Sequence, residues 1–147
     1  MSDTYDVLVI GAGPAGITPS IVQLLPDEPT DVVVEYAGVL LDAPERPTAV
    51  LCYSDVLARG VLDAARDRRL RIPEDLSVAG FDDAPLATRT VPPLTTVRQN
   101  SDAKGRAAAA LLAARIEAAR NGSEPPAEHV VLPTELVVRR STAPPPA

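Results

Sequence analysis

The sequence predicts an α/β fold: a doubly wound, mostly parallel, Rossmann-like sheet with helices on both faces, in a single lobe. Three observations predict it. Short apolar runs of strand length alternate with helical patterns from end to end. The hydrophobic residues, 46% of the chain, are almost all aliphatic, because aromatics make up only 3%. A core of Val, Ile, Leu and Ala suits a parallel sheet covered by helices. The length, 147 residues, suits one domain.

The elements follow in chain order. Asp6–Ile10 (DVLVI) reads as a buried strand that ends at glycines. Gly16–Leu25 has a helical pattern, with Pro19 in its first turns, where proline is tolerated. Asp31–Glu35 (DVVVE) reads as a second strand and Tyr36–Ala43 as a short helix. Thr48–Tyr53 (TAVLCY) is a third strand. Ser54 then caps a helix that runs to about Arg69, with Asp55 favourable in its first turn. Leu76–Phe81 (LSVAGF) is a fourth strand, and Leu94–Val97 is extended. Ser101 caps a long alanine-rich helix that reaches about Arg120 and stops at Gly122. Val130–Leu132 and Glu135–Arg139 are strand-like around Pro133. Residues 1–142 are expected to form the domain, with 143–147 a disordered tail.

Composition excludes several functions. The net charge is −6, a poor match for neutralising the phosphates of duplex DNA. One cysteine, Cys52, and one histidine, His129, leave no metal-ligand cluster and no Ser-His-Asp or Cys-His site to propose. Cys52 lies in an apolar run and reads as a small buried hydrophobe. The N-terminus is polar and acidic, unlike a signal peptide. No stretch approaches the ~18 apolar residues of a membrane span. A cytoplasmic protein without enzymatic activity is expected.

Two constellations carry specific chemistry. The first is Gly11-Ala12-Gly13-Pro14-Ala15-Gly16, which fits G-x-G-x-x-G between a strand and a helical pattern. Gly11 would permit the tight turn, Gly13 the approach of a pyrophosphate, and Gly16 close helix–strand packing. Glu35, 19 residues after Gly16, would accept from ribose hydroxyls. Asp6–Gly16 (DVLVIGAGPAG) resembles the opening of an FAD- or NAD(P)-binding flavoprotein of the thioredoxin-reductase type. That resemblance covers about the first 35 residues and implies Gly11, Gly13, Gly16 and Glu35 as cofactor contacts. Nothing after Glu35 continues the flavoprotein pattern.

The second constellation lies at the ends of the predicted strands, where ligands of open α/β sheets bind. Ser54 and Asp55 follow one strand and Asp82 and Asp83 another. Carboxylates there would accept from sugar or nucleoside hydroxyls. These residues belong to a chain of motifs: Arg46–Val50 (RPTAV), then Cys52-Tyr53-Ser54-Asp55 with Ala58 and Gly60, and Leu70–Asp83 (LRIPEDLSVAGFDD). Val91–Gln99 (VPPLTTVRQ), Gly105 and Leu132–Thr142 (LPTELVVRRST) follow in order. Residues 46–142 thereby resemble the C-terminal part of the effector-sensing, periplasmic-binding-protein-like domain of LacI/GalR-type transcription regulators. The resemblance implies Ser54, Asp55 and Asp82 as ligand contacts, with Asp82 foremost. Ser54 stands where that family often has an asparagine touching the effector.

Departures from the family are equally specific. Its sensor is two lobes closing on a ligand, close to twice this length. An arginine often used for the effector falls in a region that the glycine-loop segment replaces. Arg59 stands where the family usually has an aliphatic residue on a dimer-forming helix, and a charge there disfavours a homodimer unless it is paired. The expectation is a chimera-like chain: a flavoprotein-like opening joined to a sensor lobe that binds a small effector weakly at best. No cofactor is expected, and no DNA binding by this chain alone. The alternative is an oxidoreductase module that holds FAD or NAD(P) in the glycine loop.

Overall fold

The computed structural model describes residues 7–10, 30–44, 46–124 and 127–144. The chain divides into two compact units, one of Met1–Arg98 with Leu136–Ala147 and one of Gln99–Glu135. The strands are β1 (Val7–Ile10), β2 (Ala49–Cys52), β3 (Ser77–Asp82), β4 (Thr95–Gln99) and β5 (Thr134–Val137). Their order in the sheet is β1-β2-β3-β4-β5, with β1 to β4 paired in parallel. The register aligns Val9, Leu51 and Ala79, and then Gly80 with Thr96. This is the α/β, mostly parallel architecture expected from the sequence. Among the described strands the order never reverses.

In the first unit, α1 (Thr30–Leu41) joins β1 to β2, and α2 (Asp55–Asp67) joins β2 to β3. Crossovers between parallel neighbours are right-handed, so a sheet that grows in one direction keeps both helices on one face. The core confirms that placement: Val33, Ala37 and Leu41 of α1 and Leu57, Val61 and Ala65 of α2 bury with Val50, Cys52 and Val78 of the strands. Leu51 and Phe81, which point the other way, are more exposed. The helix expected over Gly16–Leu25 lies outside the described residues.

One expected strand is a helix. Asp31–Glu35 forms the first turns of α1, continuous with the helix expected after it. The run Val32-Val33-Val34 has strand propensity, but the buried residues recur every four positions, at Val33, Ala37 and Leu41. Packing of that stripe overrides the β-branched preference. Smaller differences occur elsewhere. Asn100, not Ser101, caps α3 (Ser101–Arg120), accepting from the Ala103 amide at 2.9 Å. Val130–Leu132 is coil.

Three features join the pieces of the first unit. Arg68 holds Asp42 with two hydrogen bonds of 2.8 and 2.7 Å and so ties the end of α2 to the end of α1. A Cβ on Gly38 would meet the Arg68 guanidinium, the far end of a flexible side chain that would have to shift to admit it. The C-terminal segment returns to the sheet. There the buried Ser141 accepts from the Thr95 amide at 2.8 Å and donates to the Val78 carbonyl at 2.6 Å. The segment expected as a disordered tail begins ordered, since the Ala143 amide donates to Ser77 Oγ at 3.1 Å.

In the second unit, α3 buries none of its residues. It ends where Gly122 takes φ +66 and the Ser123 amide reaches back to the Ala118 carbonyl at 2.9 Å. Left-handed backbone at that position is the ordinary way a helix ends on glycine.

Candidate functional site at the C-terminal ends of the strands

β2 and β3 are adjacent and parallel, so the residues that follow them share one edge of the sheet. Ser54 lies two residues past the end of β2 and caps α2: its backbone is extended, and its Oγ accepts from the Leu57 amide at 3.2 Å. That bond uses an acceptor lone pair and leaves the hydroxyl proton to donate. Tyr53, just before it, exposes about half of its surface at 53%. Tyr53, which the sequence marks only as part of the Cys52–Asp55 motif, carries a ring with an apolar face and a polar tip.

Asp55 occupies a different environment. It is buried to 1% exposure inside the first turn of α2. Its Oδ1 accepts from Thr96 Oγ1 at 2.6 Å, and its Oδ2 accepts from the Ala84 amide at 2.7 Å. The carboxylate therefore links α2, β4 and the loop after β3. A Cβ on Gly80 would strike Asp55 Oδ1, so the glycine of β3 makes room for the carboxylate. Burial pushes its pKa up, while the bonds from Thr96 and Ala84 oppose the rise. Asp55 supports the edge from beneath, with both oxygens engaged by the protein.

The loop after β3 has unusual backbone. Asp82 has φ +107 and Asp83 φ +54, the left-handed region that aspartate tolerates better than most residues. The two residues curl the chain over the end of β3, which brings the Ala84 amide onto Asp55. They also separate the two acids. Asp82 stays at the end of the strand, half-buried. Asp83 turns to meet Arg98 Nε at 2.7 Å and the Arg139 guanidinium. Arg139 in turn donates to the Leu94 carbonyl at 2.7 Å. These arginines, Arg139 first, hold the Asp83 carboxyl below the usual carboxylate range. The clamp joins residues 15 and 56 positions apart, and no local spacing announces it.

The proposed ligand residues therefore fall into two groups. Ser54 and Asp82 stand at the edge, and Asp55 lies beneath it. The dinucleotide reading loses its geometry: Glu35 sits on α1, not at the end of a strand, and is exposed. Gly11, Gly13 and Gly16 lie outside the described residues. Among the described residues no group of three or more His, Cys, Asp or Glu is arranged to hold a metal ion. Cys52 is buried, and its thiol is pushed up by desolvation, as suits an inert core residue. No helix among the described residues is long and apolar enough to cross a membrane.

Comparison with known proteins adds the following. The sequence profile of the periplasmic binding protein-like domain matches residues 12–142. The transcriptional regulator MalR of Streptomyces coelicolor is 49% identical over 96 residues, covering 65% of this chain. The chain spans only 27% of that regulator's length. A transcriptional regulator of LacI type from Bacillus cereus subsp. cytotoxis superposes with a TM-score of 0.82 over 95% of this chain and 55% of its own, at 23% identity. The regulator CelR, in a complex with cellobiose, superposes with a TM-score of 0.75 over 93% of this chain and 47% of its own, at 29% identity. Nothing in these matches supports the FAD- or NAD(P)-binding reading of the first residues.

Proposed function

The chain belongs to the periplasmic binding protein-like domain family, as found in LacI-type transcription regulators, and on that premise we propose that its sheet edge senses a small polar effector of the sugar or nucleoside class. Ser54 and Asp82 make the polar contacts, Tyr53 offers a ring face, and Asp55 positions the loop that carries Asp82. The reading is non-catalytic and needs no cofactor. Binding of DNA would fall to a part other than this acidic chain.

The observation that carries the proposal is position: Ser54 and Asp82 lie at the C-terminal ends of the adjacent parallel strands β2 and β3, the edge where ligands of open α/β sheets bind. Asp55 and Asp83 brace the loop at that edge through Thr96, Ala84, Arg98 and Arg139. The cellobiose found with CelR supports the choice of ligand class.

A thermal-shift titration with cellobiose, other sugars and nucleosides tests this. A ligand at ten times its Kd raises stability by about 1.4 kcal/mol. The control is Asp82→Asn, which removes the charge and keeps a residue that accepts positive φ. The expected result is a saturable shift that Asp82→Asn abolishes. No shift with any sugar or nucleoside, or the same shift in the variant, refutes the assignment.

A further inference from the structure

The chain leaves the first unit after Arg98 and re-enters it at Leu136. Both passages lie beside one carboxylate. Asp83 Oδ2 accepts from Arg98 Nε at 2.7 Å, at the last residue before the second unit begins. Its Oδ1 accepts from the guanidinium of Arg139, on the segment that has just returned. One side chain from the loop after β3 thus ties the outgoing strand to the incoming one.

The surroundings give that tie weight. Among the described residues, the apolar core includes nothing after Leu94. Beyond that point both passages depend on polar bonds. The Arg139 amide donates to Thr95 Oγ1 and the Arg140 amide to the Pro93 carbonyl, each at 3.0 Å. The Asp83 side chain is 11% exposed and that of Arg139 16%. Shielded pairs are screened less by water and salt than surface pairs are. By contrast, the Arg71–Asp75 pair of the same unit joins residues four apart on one segment.

We propose that Asp83 is a latch on the two connections to the second unit. While it is closed, the end of β4 and the returning segment are held as one. Its opening frees both together and leaves the core under α1 and α2 intact. Local opening of this kind belongs to segments with few buried apolar contacts. Asp82, the residue before the latch, is the effector contact proposed above, so both sit on one left-handed stretch of backbone. That adjacency rests on the sensing assignment, whereas the latch does not.

Hydrogen exchange of the full chain, followed by mass spectrometry, tests it. Asp83→Asn keeps a residue that tolerates left-handed backbone. It is expected to raise exchange in residues 94–99 and 136–142 together, by about tenfold or more, as loss of a hydrogen bond to a charged group implies. Exchange within α2 is expected to stay as in the parent. Arg98→Gln, at a half-exposed position, is the gentler second variant and decides the matter if Asp83→Asn does not fold. It is expected to raise exchange in both segments, including the one that carries Arg139. Arg71→Gln, which breaks a pair within one segment, is expected to change neither. Three results overturn the proposal: no rise in either segment, a rise confined to one of them, or an equal rise throughout α2, which would be loss of stability by the whole unit.

Discussion

Asp55 and Asp82 read alike in the sequence, each an acid just past a strand, and burial separates them. Asp55 fills a space cleared by Gly80 and accepts from the buried Thr96 hydroxyl and the part-buried Ala84 amide. Removing it takes the acceptor from the buried Thr96 hydroxyl proton, at roughly 1–3 kcal/mol, and from the part-buried Ala84 amide at less. Asp55→Ala is expected to cost about 3 kcal/mol in urea unfolding, and Asp55→Asn less, because the amide keeps one acceptor. A loss below about 1 kcal/mol for the alanine variant would show that the bonds to Thr96 and Ala84 contribute little. Cys52 illustrates the opposite case: its type and its apolar neighbours were enough to read it as a core residue, and it is 1% exposed.

At the scale of elements, α1 teaches most. Its three consecutive valines suggest a strand, but the spacing of Val33, Ala37 and Leu41 is that of one helical face. The period was present in the sequence and the propensity of the valines masked it. Two glycines show how differently one residue type can act within its element. In β3, a methyl on Gly80 would meet Asp55 and come within 2.9 Å of Leu94 Cδ2. Gly80→Ala should therefore destabilise by about 1–3 kcal/mol through overpacking. In α3, nothing lies within 4 Å of a Cβ on Gly105. Gly105→Ala should stabilise the helix by about 0.5–1 kcal/mol, since alanine loses less backbone freedom on folding. Thermal unfolding of both variants checks the pair, and equal effects would contradict the packing described for Gly80.

Across the whole molecule, the two internal acids pull stability in opposite directions with pH. Asp83 has a lowered pKa, so its contribution is complete above the usual carboxylate range and is lost as pH falls through its folded value. Asp55 has a raised pKa, so its contribution is present at low pH and is lost as pH rises through its folded value. Asp83→Asn is accordingly expected to be less stable than the parent at neutral pH, by about 1.5–3 kcal/mol, the range for hydrogen bonds to charged groups. The gap should close as pH falls below about 4, where carboxylates protonate. Urea midpoints across that range measure it. A gap that stays constant to about pH 3 would mean that the Arg98–Asp83–Arg139 clamp contributes nothing through its charge.

The sequence by itself determined the α/β class, the strands β2, β3 and β4 to within a residue or two, the cap at Ser54 and the stop at Gly122. All of these depend on local periodicity or on the conformational preferences of single residues. It also determined the family through ordered motifs over residues 46–142. Tertiary structure decided the rest. It made a helix of Asp31–Glu35, because a buried stripe outweighs strand propensity. It took Asp55 beneath the sheet edge and placed Asp83 between Arg98 and Arg139, because those partners lie 15 to 56 residues away. Which acid is buried follows from the assembled sheet rather than from any one segment.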